Sequence, residues 1–155
     1  MLKLEPIEFF LRALPEGLLL ILAIYSFSKI RIDMKKYMIS SLTCSVAIFL
    51  VRMLPISYGV HTILGMGIAM VLGVSINKID VIETIKGILI YVIIQLILEG
   101  VNVFIIQNVL KGDMNIIFTD PIQKTLYGLP SIGILAIIAM GYYIINYKKG
   151  ELIDV

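Results

Sequence analysis

A single carboxylate, Glu99, lies within the longest apolar run of the sequence, residues 88–110. Tyr91 and Gln95 precede it at intervals of four residues, and Asn102 follows it by three. On an α-helix these spacings bring the four polar side chains onto one face of an otherwise apolar cylinder. A charged group at bilayer depth is costly unless it is paired, protonated or hydrated. The stripe is therefore predicted to face protein or trapped water, where ion pairing, ligand binding or proton transfer is its candidate chemistry.

Four further groups are expected at a similar depth, toward one membrane surface. Arg12 and Glu16 are four residues apart, so they can pair along one helix face. Arg52 lies near the end of a second apolar segment, from which its long side chain could reach Glu99. His61 is the only histidine, and an imidazole can change its charge between about pH 5 and 8. Because a guanidinium keeps its proton, each arginine at this depth requires an acidic or polar acceptor.

Three interpretations of this cluster stay open. In the first, the charged side chains form an internal network that fixes the order of the helices, with Arg52 and Glu99 neutralising one another. In the second, Arg12, Arg52 and His61 line an outward-facing site for an anionic or peptidic ligand, and Glu99 lies beneath as the counter-charge. In the third, the cluster binds and releases protons as part of a proton-coupled process. The candidate ligand-binding or network residues are Arg12, Glu16, Arg52, His61, Gln95, Glu99 and Asn102.

Catalysis, metal binding and cofactor binding are not expected. The sequence contains no HExxH, GxSxG, Walker or GxGxxG pattern, which are the common short signatures of such sites. A single histidine without a carboxylate at ligand spacing does not suggest a metal site. Cys44, the only cysteine, cannot form an internal disulfide and is expected to be a packing residue.

Composition indicates an integral membrane protein that carries this cluster on transmembrane helices. Of the 155 residues, 59% are hydrophobic and 15% are charged, and the mean hydropathy is +1.00. Because a spanning helix needs about 20 mostly apolar residues, we predict an all-α, multi-pass helix bundle with a single domain. The five predicted spans are residues 10–28, 37–56, 60–76, 85–110 and 126–147. Arg12, Pro15 and Glu16 interrupt the apolar run of the first, so the alternative is a half-inserted or interfacial helix followed by four spans.

The basic residues predict the orientation, because cytoplasmic connections carry an excess of Lys and Arg. Eight of them lie in alternate connections and in the tail: Lys29, Arg31, Lys35, Lys36, Lys78, Lys86, Lys148 and Lys149. The other five fall on the opposite side: Lys3, Arg12, Arg52, Lys111 and Lys124. The predicted topology in the cell membrane therefore has the N-terminus outside and the C-terminus inside.

Three Leu-Pro pairs, at residues 14–15, 54–55 and 129–130, fall at the predicted outer ends of spans one, two and five. Proline removes a backbone donor and disturbs the preceding helical turn. Irregular backbone at membrane depth is tolerated where protein or water satisfies it. The three pairs therefore suggest a shallow cavity that opens outward, with the alternative that they only mark helix ends.

Three segments carry a family resemblance: ALPEGLLL at residues 13–20, VRMLPISYGVHTI at 51–63 and TLYGLPSIG at 125–133. They resemble the N-terminal membrane region of clostridial and other Gram-positive sensor histidine kinases of the GHKL type, relatives of the accessory-gene-regulator receptors that detect peptides. The resemblance implies a multi-pass sensory bundle whose last span passes a signal inward. A phosphoacceptor helix and a nucleotide site are missing after Tyr147, so kinase activity is not implied.

The expected function is therefore that of a non-enzymatic membrane sensor or regulatory protein that acts through a partner. A small transporter, or a substrate-binding transporter subunit that uses Glu99 and Arg52, is the main alternative. A purely structural or assembly subunit is a third class. The expected partners are the lipid bilayer and a membrane or cytoplasmic signalling protein, a homo-oligomer stays open, and no nucleic acid is expected.

Overall fold

The computed structural model describes the backbone of residues 9–54, 58–108 and 121–155, and the side chains of 9–54, 60–108 and 126–155. Five helices account for most of this part of the chain, which confirms the predicted all-α bundle. We number them in chain order: α1 is Phe9–Phe27, α2 is Met34–Met53, α3 is Tyr58–Ser75, α4 is Val81–Asn108 and α5 is Pro121–Lys149.

Each predicted span coincides with one helix, with ends that differ by a few residues. Four helical stretches are long and apolar enough to cross a membrane: Phe9–Phe27, Met34–Met53, Val81–Asn108 and Leu126–Lys149. The Val60–Ser75 part of α3 is apolar but shorter. These helices support the prediction of an integral membrane protein.

The first helix, whose apolar run is interrupted, lies at the centre of the bundle. Half of α1 is buried, against 11% to 28% of the other three long helices, and α1 packs against α2, α4 and α5. A π-helical turn at Phe9–Ala13 begins the helix. Pro15 is the second residue of the α-helical part, Leu14–Phe27, which follows this π-helical turn directly.

Close approach of the backbones explains how α1 contacts several helices at once. A Cβ atom added to Gly17 would lie 2.8 Å from the Cα atom of Ser45 on α2. A Cβ atom added to Gly87 on α4 would lie 2.8 Å from the Cα atom of Ile24. Small residues let helices associate in this way in lipid, where dispersion contacts replace the hydrophobic driving force of water.

The polarity of α2 is the reverse of that of a water-soluble helix. Its buried residues are Ser40, Ser41, Cys44, Ser45 and Ile48. Its large exposed hydrophobic residues are Met34, Met38, Ile39, Leu42, Val46, Leu50 and Met53. Buried serines avoid a desolvation cost because they donate to carbonyls of their own helix, as Ser41 Oγ does to Tyr37 O at 2.7 Å. An apolar outer surface of this kind suits contact with lipid.

Hydrogen bonds bring the two connections and the tail of the predicted cytoplasmic side together. Ser28 Oγ donates to Glu83 O at 2.7 Å, and the Tyr25 hydroxyl donates to Asn77 Oδ1 at 3.0 Å. The Arg31 N–H donates to Ile153 O at 2.9 Å. Residues 28–33, 76–80 and 150–155 therefore form one end of the bundle, which we call the basic end. The opposite end holds the first turns of α1 and α3 and the last turn of α2.

Candidate functional site

Three helices contribute charged side chains near the opposite end. Arg12 lies in the π-helical turn that begins α1, and Glu16 lies in the first turn of the α-helical part that follows. Arg52 is in the last turn of α2, and Glu99 lies on α4. A π-helical turn carries an extra residue, so Arg12 and Glu16 do not have the relative orientation that an uninterrupted α-helix would give them.

Arg52 forms a close ion pair with Glu16. Its Nη2 atom donates to Glu16 Oε2 at 2.5 Å. Only 23% of the Arg52 side chain and 15% of the Glu16 side chain are exposed. Charge-assisted hydrogen bonds of this geometry are stronger than neutral ones, so the two groups satisfy each other and hold the end of α2 against α1.

The second ion pair joins Arg12 to Glu99 and is more open. Arg12 Nη2 lies 3.8 Å from Glu99 Oε1, which is beyond hydrogen-bond length. The Glu99 side chain is 42% exposed, whereas that of Arg12 is 19% exposed. Gln95 Nε2 donates to the same Glu99 Oε1 at 3.2 Å, so the carboxylate is held from its own helix.

The structure therefore pairs Arg52 with Glu16 and places Arg12 beside Glu99, in place of the expected contacts of Arg12 with Glu16 and of Arg52 with Glu99. Both α2 and α4 pack against α1, whereas they share no comparable interface in the described part of the chain. Because α1 and α2 are antiparallel neighbours, Arg52 near the end of α2 lies beside Glu16 near the start of α1. Arg12 is then left facing Glu99.

One buried donor of Arg12 finds no acceptor in the part of the chain that the structure describes. Its Nε atom is buried and has no hydrogen-bond partner among the described residues. A Cβ atom added to Gly128 on α5 would lie 3.8 Å from Arg12 Nη1, so the guanidinium lies beside the α5 backbone where a side chain is missing. The Nε and Nη donors of a guanidinium match the two oxygens of a carboxylate or a phosphate.

The predicted polar stripe of α4 lies along the bundle. Tyr91 is buried, with 4% of its surface exposed, and lies close enough to Glu16, Arg52 and Glu99 to interact with them electrostatically. On the outer side of α4 the large hydrophobic residues Leu96, Ile97 and Val101 are exposed. The stripe therefore faces the other helices.

Asn102 connects α4 to α5. Its Nδ2 atom donates to Tyr127 O at 2.5 Å. This contact and the glycine at position 128 were not apparent from the sequence, because they depend on which helix lies beside α4. His61 is half-buried in the first turn of α3, at the same end of the bundle as Arg52.

The three expected helix breaks are not all present. Pro130 lies inside α5, which extends from Pro121 to Lys149, so the third Leu-Pro pair does not mark a helix end. Leu54 directly follows α2, and Pro55 lies outside the described residues. The Leu-Pro pattern is therefore weak support for an outward cavity.

The site contains two ion pairs of different geometry. Arg52 and Glu16 are in direct contact, whereas Arg12 and Glu99 are farther apart. Within the described residues, no group of three or more His, Cys, Asp or Glu side chains could hold a metal ion.

Comparison of the chain with protein-family profiles, with curated proteins and with solved structures found no match.

Proposed function

We propose that this integral membrane protein is a sensor or regulatory protein that binds a small or peptidic ligand at Arg12 and Glu99 and signals through a partner. The observation that carries the proposal is the difference between the two ion pairs. Arg52 and Glu16 are in direct contact, whereas Arg12 and Glu99 are 3.8 Å apart and no described residue accepts a hydrogen bond from Arg12 Nε.

The unpaired donor favours an anionic ligand group. An unsatisfied buried donor costs about 1–3 kcal/mol, so an acceptor that reaches Arg12 Nε recovers that free energy on binding. A carboxylate suits this position because it can accept from Nε and Nη2 together. Glu99, half exposed and held by Gln95, is then available to a cationic or hydrogen-bond donating group of the same ligand.

A molecule that carries both an anionic and a cationic group, such as an amino acid or a short peptide, satisfies both residues. The resemblance of residues 13–20, 51–63 and 125–133 to the membrane regions of peptide-detecting sensor kinases supports the same ligand class. The central position of α1 supports the signalling part of the proposal, because α1 packs against α2, α4 and α5. A displacement of Arg12 is thereby passed to three helices.

The test is ligand-dependent stabilisation of the purified chain in lipid nanodiscs. Acetate, glycine, triglycine and inorganic phosphate are the probes, and the midpoint of thermal unfolding is the measurement. We expect triglycine or glycine to raise the midpoint more than acetate or phosphate does. The Arg12→Gln variant should lose this shift.

Arg52→Gln is the matched control, because Arg52 is already neutralised by Glu16. Its own midpoint is lower, but the probe should still raise it. An equal loss of the shift in both variants would contradict a site at Arg12. Accumulation of the probe inside liposomes that contain the protein would instead support the transporter alternative.

A further inference from the structure

The tail is bound to the α1–α2 connection through its backbone. Ile30 and Ile153 form an isolated parallel β-bridge. The Arg31 N–H donates to Ile153 O at 2.9 Å, and the Ile153 N–H donates to Lys29 O at 2.9 Å. The connection thus uses the backbone groups on either side of Ile30 to hold one extended residue of the tail.

Two ion pairs flank the bridge. Lys29 Nζ lies 2.5 Å from Glu151 Oε2, and Arg31 Nη1 lies 3.6 Å from Asp154 Oδ1. The two basic residues of the connection therefore recognise two acidic residues that are three positions apart in the tail. Backbone pairing together with side-chain recognition is the way in which proteins bind extended peptides to an exposed strand edge.

The connection is shaped by the helix ends on both sides of it. The Ile30 N–H donates to Tyr25 O and the Lys29 N–H donates to Ser26 O, with Lys29 at φ 56°, which is a Schellman ending of α1. Asp33 caps α2 by accepting from the Lys35 N–H. Ile30 is buried, with 5% of its surface exposed. This half of the contact is consequently held in place without the tail.

The tail half is anchored at its start, where the Glu151 N–H donates to Asn146 O at 3.1 Å beside Gly150 at φ 69°, and it is open beyond that residue. After α5 ends at Lys149, Ile153 is 63% exposed and Val155 is 58% exposed. The side chains of both ion pairs are between 40% and 78% exposed, and exposed pairs contribute little free energy. The residues after Glu151 and the Glu151 side chain can therefore leave a surface that keeps its shape.

We propose that residues 29–31 form a docking surface for an extended acidic segment of a partner protein, and that residues 151–154 occupy it in cis until that segment replaces them. The recognised pattern is an acidic residue, two apolar residues and a second acidic residue, as in Glu-Leu-Ile-Asp of this chain. This surface is at the basic end, far from Arg12, so the inference does not depend on the proposed ligand site.

The test uses the full chain in neutral-lipid nanodiscs, with a fluorophore on a cysteine introduced in place of Val155. Cys44 is fully buried, so labelling is directed to the introduced thiol. The probe is the free peptide Gly-Glu-Leu-Ile-Asp-Val. We expect saturable displacement of the tail, seen as a fall in fluorescence anisotropy, and a lower anisotropy without peptide at high salt, because salt screens the two ion pairs that hold the tail.

Substitutions separate this recognition from general attraction to a basic surface. Lys29→Glu should release the tail and weaken peptide binding by about tenfold. Lys35→Glu is the control, because Lys35 is exposed and makes no ion pair in the described part of the chain. Pairing Lys29→Glu with Glu151→Lys should restore docking of the tail, which also shows that the variant folds.

Two results would overturn the proposal. One is equal displacement by a peptide in which both acidic residues are replaced by glutamine. The other is equal loss of binding in the Lys29→Glu and Lys35→Glu variants, which would indicate attraction to net positive charge only. Neither result bears on the binding of glycine or triglycine at Arg12, so the two proposals can fail separately.

Discussion

At the scale of single residues, the two arginines near the opposite end differ in how completely they are neutralised. Arg52 donates to Glu16 at 2.5 Å, and both side chains are mostly buried. Arg12 reaches Glu99 only at 3.8 Å. A guanidinium cannot become neutral by releasing its proton, so its positive charge must be stabilised by neighbouring groups. The stability of the bundle should therefore depend on the two arginines unequally.

We expect Arg52→Gln to lower the free energy of unfolding by about 1–3 kcal/mol, because it leaves the Glu16 carboxylate without a charged partner in a mostly buried position. Arg12→Gln should cost less than about 1 kcal/mol. Thermal or denaturant unfolding in detergent measures both. A double-mutant cycle with Glu16→Gln isolates the pair, and equal costs for the two arginine variants would contradict the structural role of Arg52.

The Lys29–Glu151 pair should make the docking of the tail depend on pH. The hydrogen bond from Lys29 lowers the pKa of Glu151 from its ordinary value of 4.5, and Lys149 acts in the same direction. The hydrogen bond to Glu151 raises the pKa of Lys29 from 10.5, with a smaller effect of Tyr142. Docking should therefore be constant between about pH 5 and 10.

Below this window the contribution of Glu151 is lost as pH falls through its lowered pKa, and above it that of Lys29 is lost as pH rises through its raised pKa. Fluorescence anisotropy of a label at position 155 measures the change. In the Glu151→Gln variant this ion pair is absent, so the loss of docking at low pH should be reduced. Release of the tail near pH 7 would contradict this account.

At the scale of elements, α1 is central because small residues let its neighbours approach. Gly17 contacts the backbone of Ser45 on α2, and Gly87 on α4 contacts the backbone at Ile24. The faces turned away from α1 carry large apolar side chains, most clearly on α2. The helices are thus arranged with small and polar residues inside and large apolar residues outside, as a lipid environment permits.

Gly17→Ala should destabilise the bundle by about 1–3 kcal/mol, because the added methyl group would lie 2.8 Å from Ser45 Cα and the helices would have to separate. Gly67→Ala on α3 is the matched control, since nothing lies within 4 Å of its added Cβ. That control should be neutral or gain up to about 1 kcal/mol from helix propensity. Unfolding midpoints compare the two, and a stabilising Gly17→Ala would exclude the close packing of α1 on α2.

At the scale of the whole molecule, charge is distributed unequally between the two ends. The basic end and the helical turns beside it carry eight basic and five acidic side chains. The ion pairs of Arg12 and Arg52 lie toward the opposite end. The positive-inside rule therefore predicts that the basic end faces the cytoplasm.

Labelling at the two ends of α2 tests this orientation. The helix has 20 residues, which corresponds to about 30 Å, the thickness of the hydrocarbon layer. A membrane-impermeant maleimide added to intact cells should modify a cysteine introduced in place of Leu54. A cysteine in place of Lys35 should react only after permeabilisation. The reverse pattern would invert the proposed topology, and the chain with only buried Cys44 gives the background.

The sequence by itself determined the number, type and approximate limits of the helices. Each apolar run is long enough for a helix and is bounded by charged residues, by proline or by both, so local chemistry is sufficient to define it. The residues of the charged cluster also followed from the sequence, because ionisable side chains within apolar helices are rare and costly. The sequence did not indicate which helix is the most buried. The apolar run of α1 is the most interrupted, and α1 is nevertheless the central helix.

Only the tertiary structure decided which charges meet. Arg52 pairs with Glu16 and Arg12 faces Glu99, because α1 lies against both α2 and α4. The bridge between Ile30 and Ile153 joins residues that are far apart in the chain, and no periodicity indicates it. Helix formation depends on neighbours three or four residues away, whereas ion pairing depends on which helices pack together. That packing is set by contacts such as those of Gly17 and Gly87, which become apparent only when the helices are assembled.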